Sequence, residues 1–170
     1  MIEIRNRFTE EVLQVLDVPT LAGIRLTGAS LEVANLAGAN LDGANLEGAD
    51  LAVADLTGAN LANAILTSAN LTGANLERAY LSYAFLKGAK LTGASLTEAN
   101  LQGANLAGAN LTGANLTGAD LSHANLRGAN LSRACFEDVV VGGALYDQQT
   151  VFPALFLSPD EKGAIRTDAD

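Results

Sequence analysis

The sequence predicts an all-β solenoid, and three observations predict it. From Leu21 to Val141 a large apolar residue returns every fifth position, in twenty-five consecutive units, and twenty-three of these residues are Leu, with Phe136 and Val141 closing the series. Ala stands two positions before almost every Leu, and Asn or Asp usually one before, as in Ala39-Asn40-Leu41, Ala49-Asp50-Leu51 and Ala104-Asn105-Leu106. A helix and a flat strand both carry a five-residue pattern off any single face, so the chain has to turn within every unit. The third observation is composition. Hydrophobic residues make up 49% of the 170, yet only 5% are aromatic and Trp is absent. Leu and Ala must therefore do the filling, which suits a narrow interior of repeated layers.

Residues 1–20 precede the repeat. Ile2 and Ile4 alternate with Glu3 and Arg5 as in a half-buried strand, and Thr9-Glu10-Glu11 can turn the chain into Val12-Leu13-Gln14-Val15-Leu16. A hairpin is the first reading; a short helix capped by Thr9, with Phe8, Val12, Val15 and Leu16 on one face, is the competing one. Either would cover the open edge of the first coil, which a solenoid needs. The start of the chain has no apolar segment of the secretory type, and no apolar run is long enough to span a bilayer. With Cys135 as the sole cysteine, these features predict a cytoplasmic protein without an internal disulfide.

From Leu21 onward the units read as short extended pieces joined by tight turns, with Gly as turn punctuation. Spacing alone leaves three or four units per coil open. The tandem Ala-Asn/Asp-Leu-X-X units resemble those of the pentapeptide-repeat proteins. That resemblance implies a right-handed quadrilateral β-helix, with four units per coil and the central Leu and the Ala two before it pointing inward. The repeat, residues 21–141, would then form about six coils and, at about 4.8 Å per coil, a rod of about 29 Å.

Residues 142–170 complete a single domain of 1–170. Gly142-Gly143 interrupts the pattern, and Phe152, Leu155, Phe156 and Leu157 form a dense apolar group, read as a C-terminal cap with a dimerisation surface as the alternative. Ser158-Pro159-Asp160-Glu161 has the residues of a helix start, which predicts a short helical cap over about 159–165, with Thr167 to Asp170 frayed.

Catalysis requires convergent polar groups of different types. His123, the only histidine, falls at an outward turn position; Cys135 takes an outward site usually held by Asn, with no histidine near it in the register. No metal-ligand spacing, phosphate-binding loop or nucleophile motif occurs, so neither enzyme activity nor a cofactor or metal is expected. Departures from the consensus carry more information. With twenty residues per coil, Ile65 and Phe85 stack on adjacent coils beside Tyr80 and Tyr83, an apolar and aromatic patch flanked by Arg78, Lys87 and Lys90. Asp55, Glu77, Glu98, Glu137 and Asp138 would share another face. A net charge of −9 disfavours direct nucleic acid or membrane binding. The expected function is a non-catalytic protein-interaction scaffold, monomeric or dimeric through its C-terminal cap. The alternative, implied by the resemblance, is an acidic DNA mimic that binds DNA gyrase, as fluoroquinolone-resistance pentapeptide-repeat proteins do.

Overall fold

The computed structural model describes residues 1–156 and 158–168. Units with Asn or Asp before the central Leu solve one hydrogen-bonding problem, seen at Ala44 to Gly48. The Ala44 N–H closes a turn onto the Leu41 carbonyl at 2.9 Å, Asn45 N–H donates back to Ile24 at 2.8 Å, and Leu46 N–H donates forward to Ile65 at 2.7 Å. Gly48 N–H reaches Thr67 at 2.9 Å. The remaining donor, Glu47 N–H, is taken by the Asn45 side chain at 3.1 Å. All five backbone donors are thereby satisfied, which is the physical reason for Asn or Asp before the central Leu: its side chain closes an Asx turn that no strand partner could supply.

The bonds between coils set a register of twenty residues. Parallel bridges run in unbroken register from Arg25↔Asn45 to Asn125↔Leu145, so four units make one coil. The core is a continuous column of Leu from Leu31 to Leu131, with Ala from Ala44 to Ala129 beside it, and no polar or charged residue is buried among the described residues. The third residue of each turn is left-handed at all twenty-five sites from Gly23 to Gly143, and ten of those sites hold a residue other than Gly. A positive φ at that residue alone marks a type II turn.

The first segment is a hairpin, with β1 (Ile2–Asn6) antiparallel to β2 (Val12–Leu16). Thr9 caps no helix there. The Asn6 side chain instead accepts from Phe8 and Thr9 N–H at 2.8 and 3.1 Å and turns the chain. Strand β1 also pairs antiparallel with β3 (Ala34–Asn35), giving the order β2-β1-β3, and buries Ile4 on the core.

At the other end the coil runs one unit beyond Val141. Gly143 takes the usual left-handed turn site, and Ala144 and Tyr146 take the inward positions. Gly142-Gly143 thus preserves the register. The slip comes later: Val151 pairs with Asn130, twenty-one residues away. Asp147 holds that extra residue in place, accepting from Gly128 N–H at 2.9 Å, Gln149 N–H at 3.0 Å and the Thr150 hydroxyl at 3.0 Å.

The helix expected over 159–165 is a single 3₁₀ turn, Pro159–Lys162. Ser158 is itself left-handed and makes no capping bond, and left-handed Gly163 ends the turn after four residues. The chain then enters β5 (Ile165–Arg166), which pairs parallel with β4 (Leu145–Tyr146). Thr167 and Asp168, expected to fray, are bonded: Thr167 N–H donates to Tyr146 at 2.9 Å, and Asp168 accepts from Gln148 N–H at 2.9 Å. Leu157, Ala169 and Asp170 lie outside the described residues.

Candidate functional site

Three exposed rings occur within six residues of one coil. Tyr80 replaces the usual Asn before Leu81 and pairs with Asn60 and Asn100 on the coils either side; it is 56% exposed. Tyr83 occupies the left-handed turn site at φ 59° and is 60% exposed. Its ring lies over Gly103 of the next coil, where a Cβ would stand 2.6 Å from it. Phe85, 49% exposed, bridges Ile65 on one side and Asn105 on the other. A side chain in the Asn position must point outward because its neighbours Ala79 and Leu81, or Ala84 and Leu86, fill the interior. The structure therefore stacks Phe85 on Ile65 along one wall and sets Tyr80 and Tyr83 outward on the unit before it.

Arg78 belongs to a different pairing. Its Nε donates to Glu98 at 2.7 Å and a second nitrogen lies 3.7 Å from Glu77. The hydrogen bond to Glu98 raises the guanidinium above its ordinary pKa, helped by the charges of Glu98 and Glu77. Sequence reading placed Arg78 beside the aromatic patch; the coil spacing puts its carboxylate partner one full turn away.

The acidic residues are likewise interrupted. Asp55 accepts from Thr57 N–H at 3.0 Å and the Thr57 hydroxyl at 2.6 Å, and lies 3.9 Å from Arg7 of the hairpin turn. Burial pushes its pKa up, but the Thr57 bonds and the Arg7 charge outweigh burial and leave it below the ordinary value. Arg7 was missed from the sequence, since nothing in its spacing signals a partner forty-eight residues on; its guanidinium also donates to the Val53 carbonyl at 3.0 Å. Of the five candidate acids, Glu137 and Asp138 at the end of the rod are exposed and have no ion pair among the described residues.

The aromatic cap closes on itself. Phe156 meets Phe136 edge-on at 4.6 Å and Phe152 meets it at 6.2 Å, while Phe152 also packs on Tyr146 at 5.5 Å. Leu155 does not join them and is 95% exposed at the rim of a cleft of about 570 Å³ lined by Cys135, Phe136, Pro153 and Phe156. Leu157 lies outside the described residues. His123 and Cys135 are both exposed, His123 with its ring against Gly143. Among the described residues no group of His, Cys, Asp or Glu is placed to hold a metal ion.

The model for pentapeptide repeats matches eight copies over residues 20–52, 54–93, 69–107 and 104–140. Among solved structures the chain is similar to HetL, a pentapeptide repeat protein involved in heterocyst differentiation regulation in the cyanobacterium Nostoc sp. strain PCC 7120. Identity is 39%, the match covers 72% of this chain and 60% of that one, and the TM-score is 0.64. The chain thus spans less than two thirds of HetL's length. Rfr23, a pentapeptide repeat protein from the cyanobacterium Cyanothece 51142, is 46% identical over 58% of this chain and 63% of its own, with a TM-score of 0.38. QnrB1, a plasmid-mediated fluoroquinolone resistance protein, is 16% identical over 79% and 80% with a TM-score of 0.31, a likeness too slight to carry an argument. Comparison with the curated proteins finds no match. The five-residue units, their twenty-residue coil and these matches together place the chain in the pentapeptide repeat family.

Proposed function

We propose that the chain is a non-catalytic protein-interaction scaffold: a rigid, right-handed quadrilateral β-helix that presents outward side chains to a partner protein. The observation that carries this is the run of three exposed rings, Tyr80, Tyr83 and Phe85, with Ile65 beside Phe85, at outward positions that most other units fill with Asn, Asp or Gly. Aromatic residues held on rigid backbone are the usual anchors of protein interfaces, because they bury much area for little lost side-chain freedom. The similarity to HetL, a pentapeptide repeat protein involved in regulation, supports a binding role.

Affinity capture tests the proposal. Wild-type protein should retain a partner that the Tyr80→Asn/Tyr83→Asn/Phe85→Asn variant loses while its circular dichroism stays unchanged. Equal retention by a folded variant would remove the ring surface from the interface. The reading as a gyrase-binding DNA mimic has less support, because Asp55 and Glu98 spend their charge on Arg7 and Arg78.

A further inference from the structure

We infer that the free edge of strand β2 takes up an extended segment of a partner protein, an apolar strand with Lys or Arg at each end. This surface is separate from the exposed rings and does not rest on them.

The hairpin closes one edge of the solenoid and opens another. Strand β1 lies between β2 and β3 and is paired on both sides, whereas β2 pairs with β1 alone among the described residues. Two bonds fix which of its backbone groups face out. Asn6 N–H donates to Glu11 on the β2 side at 2.9 Å, and Arg7 N–H donates to Val33 on the β3 side at 2.8 Å. Backbone groups alternate sides along a strand, so Ile4 and Ile2, in step with Asn6, face Gln14 and Leu16. Val15, between those two, turns its N–H and C=O away from β1. Its side chain is 54% exposed, and Val12 and Leu13 on the same strand are exposed as well. Unpaired backbone groups on an apolar edge strand are a template for another strand. Leu13 is an extra residue between the partners of Ile4 and Arg5, a bulge that leaves the regular edge centred on Val15.

Charge decides what the template takes. Val12–Leu16 carries no charge, yet Glu10 and Glu11 stand at one end and Asp17 at the other. All three are exposed, and none forms an ion pair among the described residues. A second copy of β2 fits poorly. With Val15 opposite Leu13 of an antiparallel copy, Glu11 falls opposite Asp17; with Val15 opposite Val15, Asp17 falls opposite Leu13 and diagonal to Glu11. Like charges at these positions destabilise a strand pair. A strand with a basic residue at each end and about five apolar or β-branched residues between turns the same carboxylates into partners.

The test is selection of displayed random linear peptides on the full-length protein, followed by amide hydrogen exchange on the complex. Enriched peptides should carry Lys or Arg on both sides of an apolar or β-branched stretch. They should slow exchange at Val15 N–H and weaken by about tenfold or more in Glu10→Lys/Glu11→Lys/Asp17→Lys. Val15→Pro removes the outward N–H while taking no bond from β1, so it should keep the wild-type circular dichroism and lose the peptides. A second arm leaves the protein unaltered: methylating alternate backbone nitrogens of a selected peptide should abolish binding in one phase and spare it in the other. Failure to enrich any peptide, enrichment of acidic ones, or binding that ignores charge reversal would overturn the inference. So would exchange at Val15 that stays fast in the complex. Peptides lost instead in Tyr80→Asn/Tyr83→Asn/Phe85→Asn would belong to the rings, which overturns the edge and leaves the ring surface standing. A wild-type dimer that Val15→Pro dissolves would give the edge to a second copy and likewise overturn the assignment.

Discussion

Gly103 tells how firmly Tyr83 is seated, and a comparison with Gly93 isolates the effect. Both glycines are left-handed, at φ 66° and 65°. A Cβ on Gly93 would meet nothing within 4 Å, whereas one on Gly103 would stand 2.6 and 2.7 Å from two ring carbons of Tyr83. Gly93→Ala therefore carries only the left-handed penalty of about 1–2 kcal/mol. The lower entropy of the unfolded Ala chain offsets this by about 0.5–1 kcal/mol, leaving about 0.5–1 kcal/mol of destabilisation. Gly103→Ala adds the cost of driving the Tyr83 ring off its seat, about 0.5–1.5 kcal/mol for a displaced rotamer. For a chain of this size each kcal/mol moves Tm by about 2–4 °C. Thermal melts should then show a loss of about 1–4 °C for Gly93→Ala and a further loss of about 1–6 °C for Gly103→Ala. In a Tyr83→Asn background the two glycine substitutions should converge. Equal losses in the wild-type background, or a difference that persists without Tyr83, would refute the seating of the ring on Gly103.

Ala104 is fully buried, so Ala104→Leu should overpack the interior and cost about 1–3 kcal/mol, read as a lower Tm; an unchanged Tm would contradict its inward position. Asp147 is pushed up by burial but held below its ordinary pKa because the Gly128, Thr150 and Gln149 bonds outweigh burial, and Asp55 behaves likewise. A depressed folded pKa contributes stability above the unfolded value of about 4, which is lost as pH falls through the folded value. Acid titration of Asp147→Asn should accordingly show a shallower loss of stability below about pH 4 than wild type. Tyr146 is shifted upward by burial and by its hydroxyl donating to Asp160 at 2.7 Å. The resulting stability is present below the unfolded pKa of about 10 and disappears as pH rises through the folded value, so Tyr146→Phe should flatten the alkaline limb of a stability profile. In a supercoiling assay gyrase should be unaffected by the protein; inhibition or protection at micromolar concentration would restore the DNA-mimic reading.

What could be read from the sequence was whatever repeats. Leu and Ala alternate between inward sites because the units repeat the same backbone bonding, so their burial follows from spacing. The outward rings were legible for the same reason, as exceptions at known sites: Phe85 must stack on Ile65 once the coil holds twenty residues. Interactions that cross the register were not legible. Arg7 reaches Asp55 only because the hairpin folds back along β3, whereas Arg78 and Glu98, twenty residues apart, share a register position and were legible as neighbours. At the C-terminus, local helix-start residues at 158–161 lost to a tertiary bond: Ile165 N–H pairs with Ala144 at 2.7 Å, which extends the chain where propensity alone favoured helix. Tyr146 escaped notice as an inward residue because it breaks the Leu pattern while keeping the Leu position.

The twenty-residue register also couples reach to direction. An added coil between Leu91 and Leu131 would move the aromatic cap about 4.8 Å farther from the exposed rings and leave both on the same bearing. One added five-residue unit would lengthen the molecule by only about 1.2 Å but swing the cap through a quarter of a circle, since four units close each turn. Gain or loss of units thus works as an indexing wheel, re-aiming one end of the molecule against the other while each unit still stacks on another of the same kind.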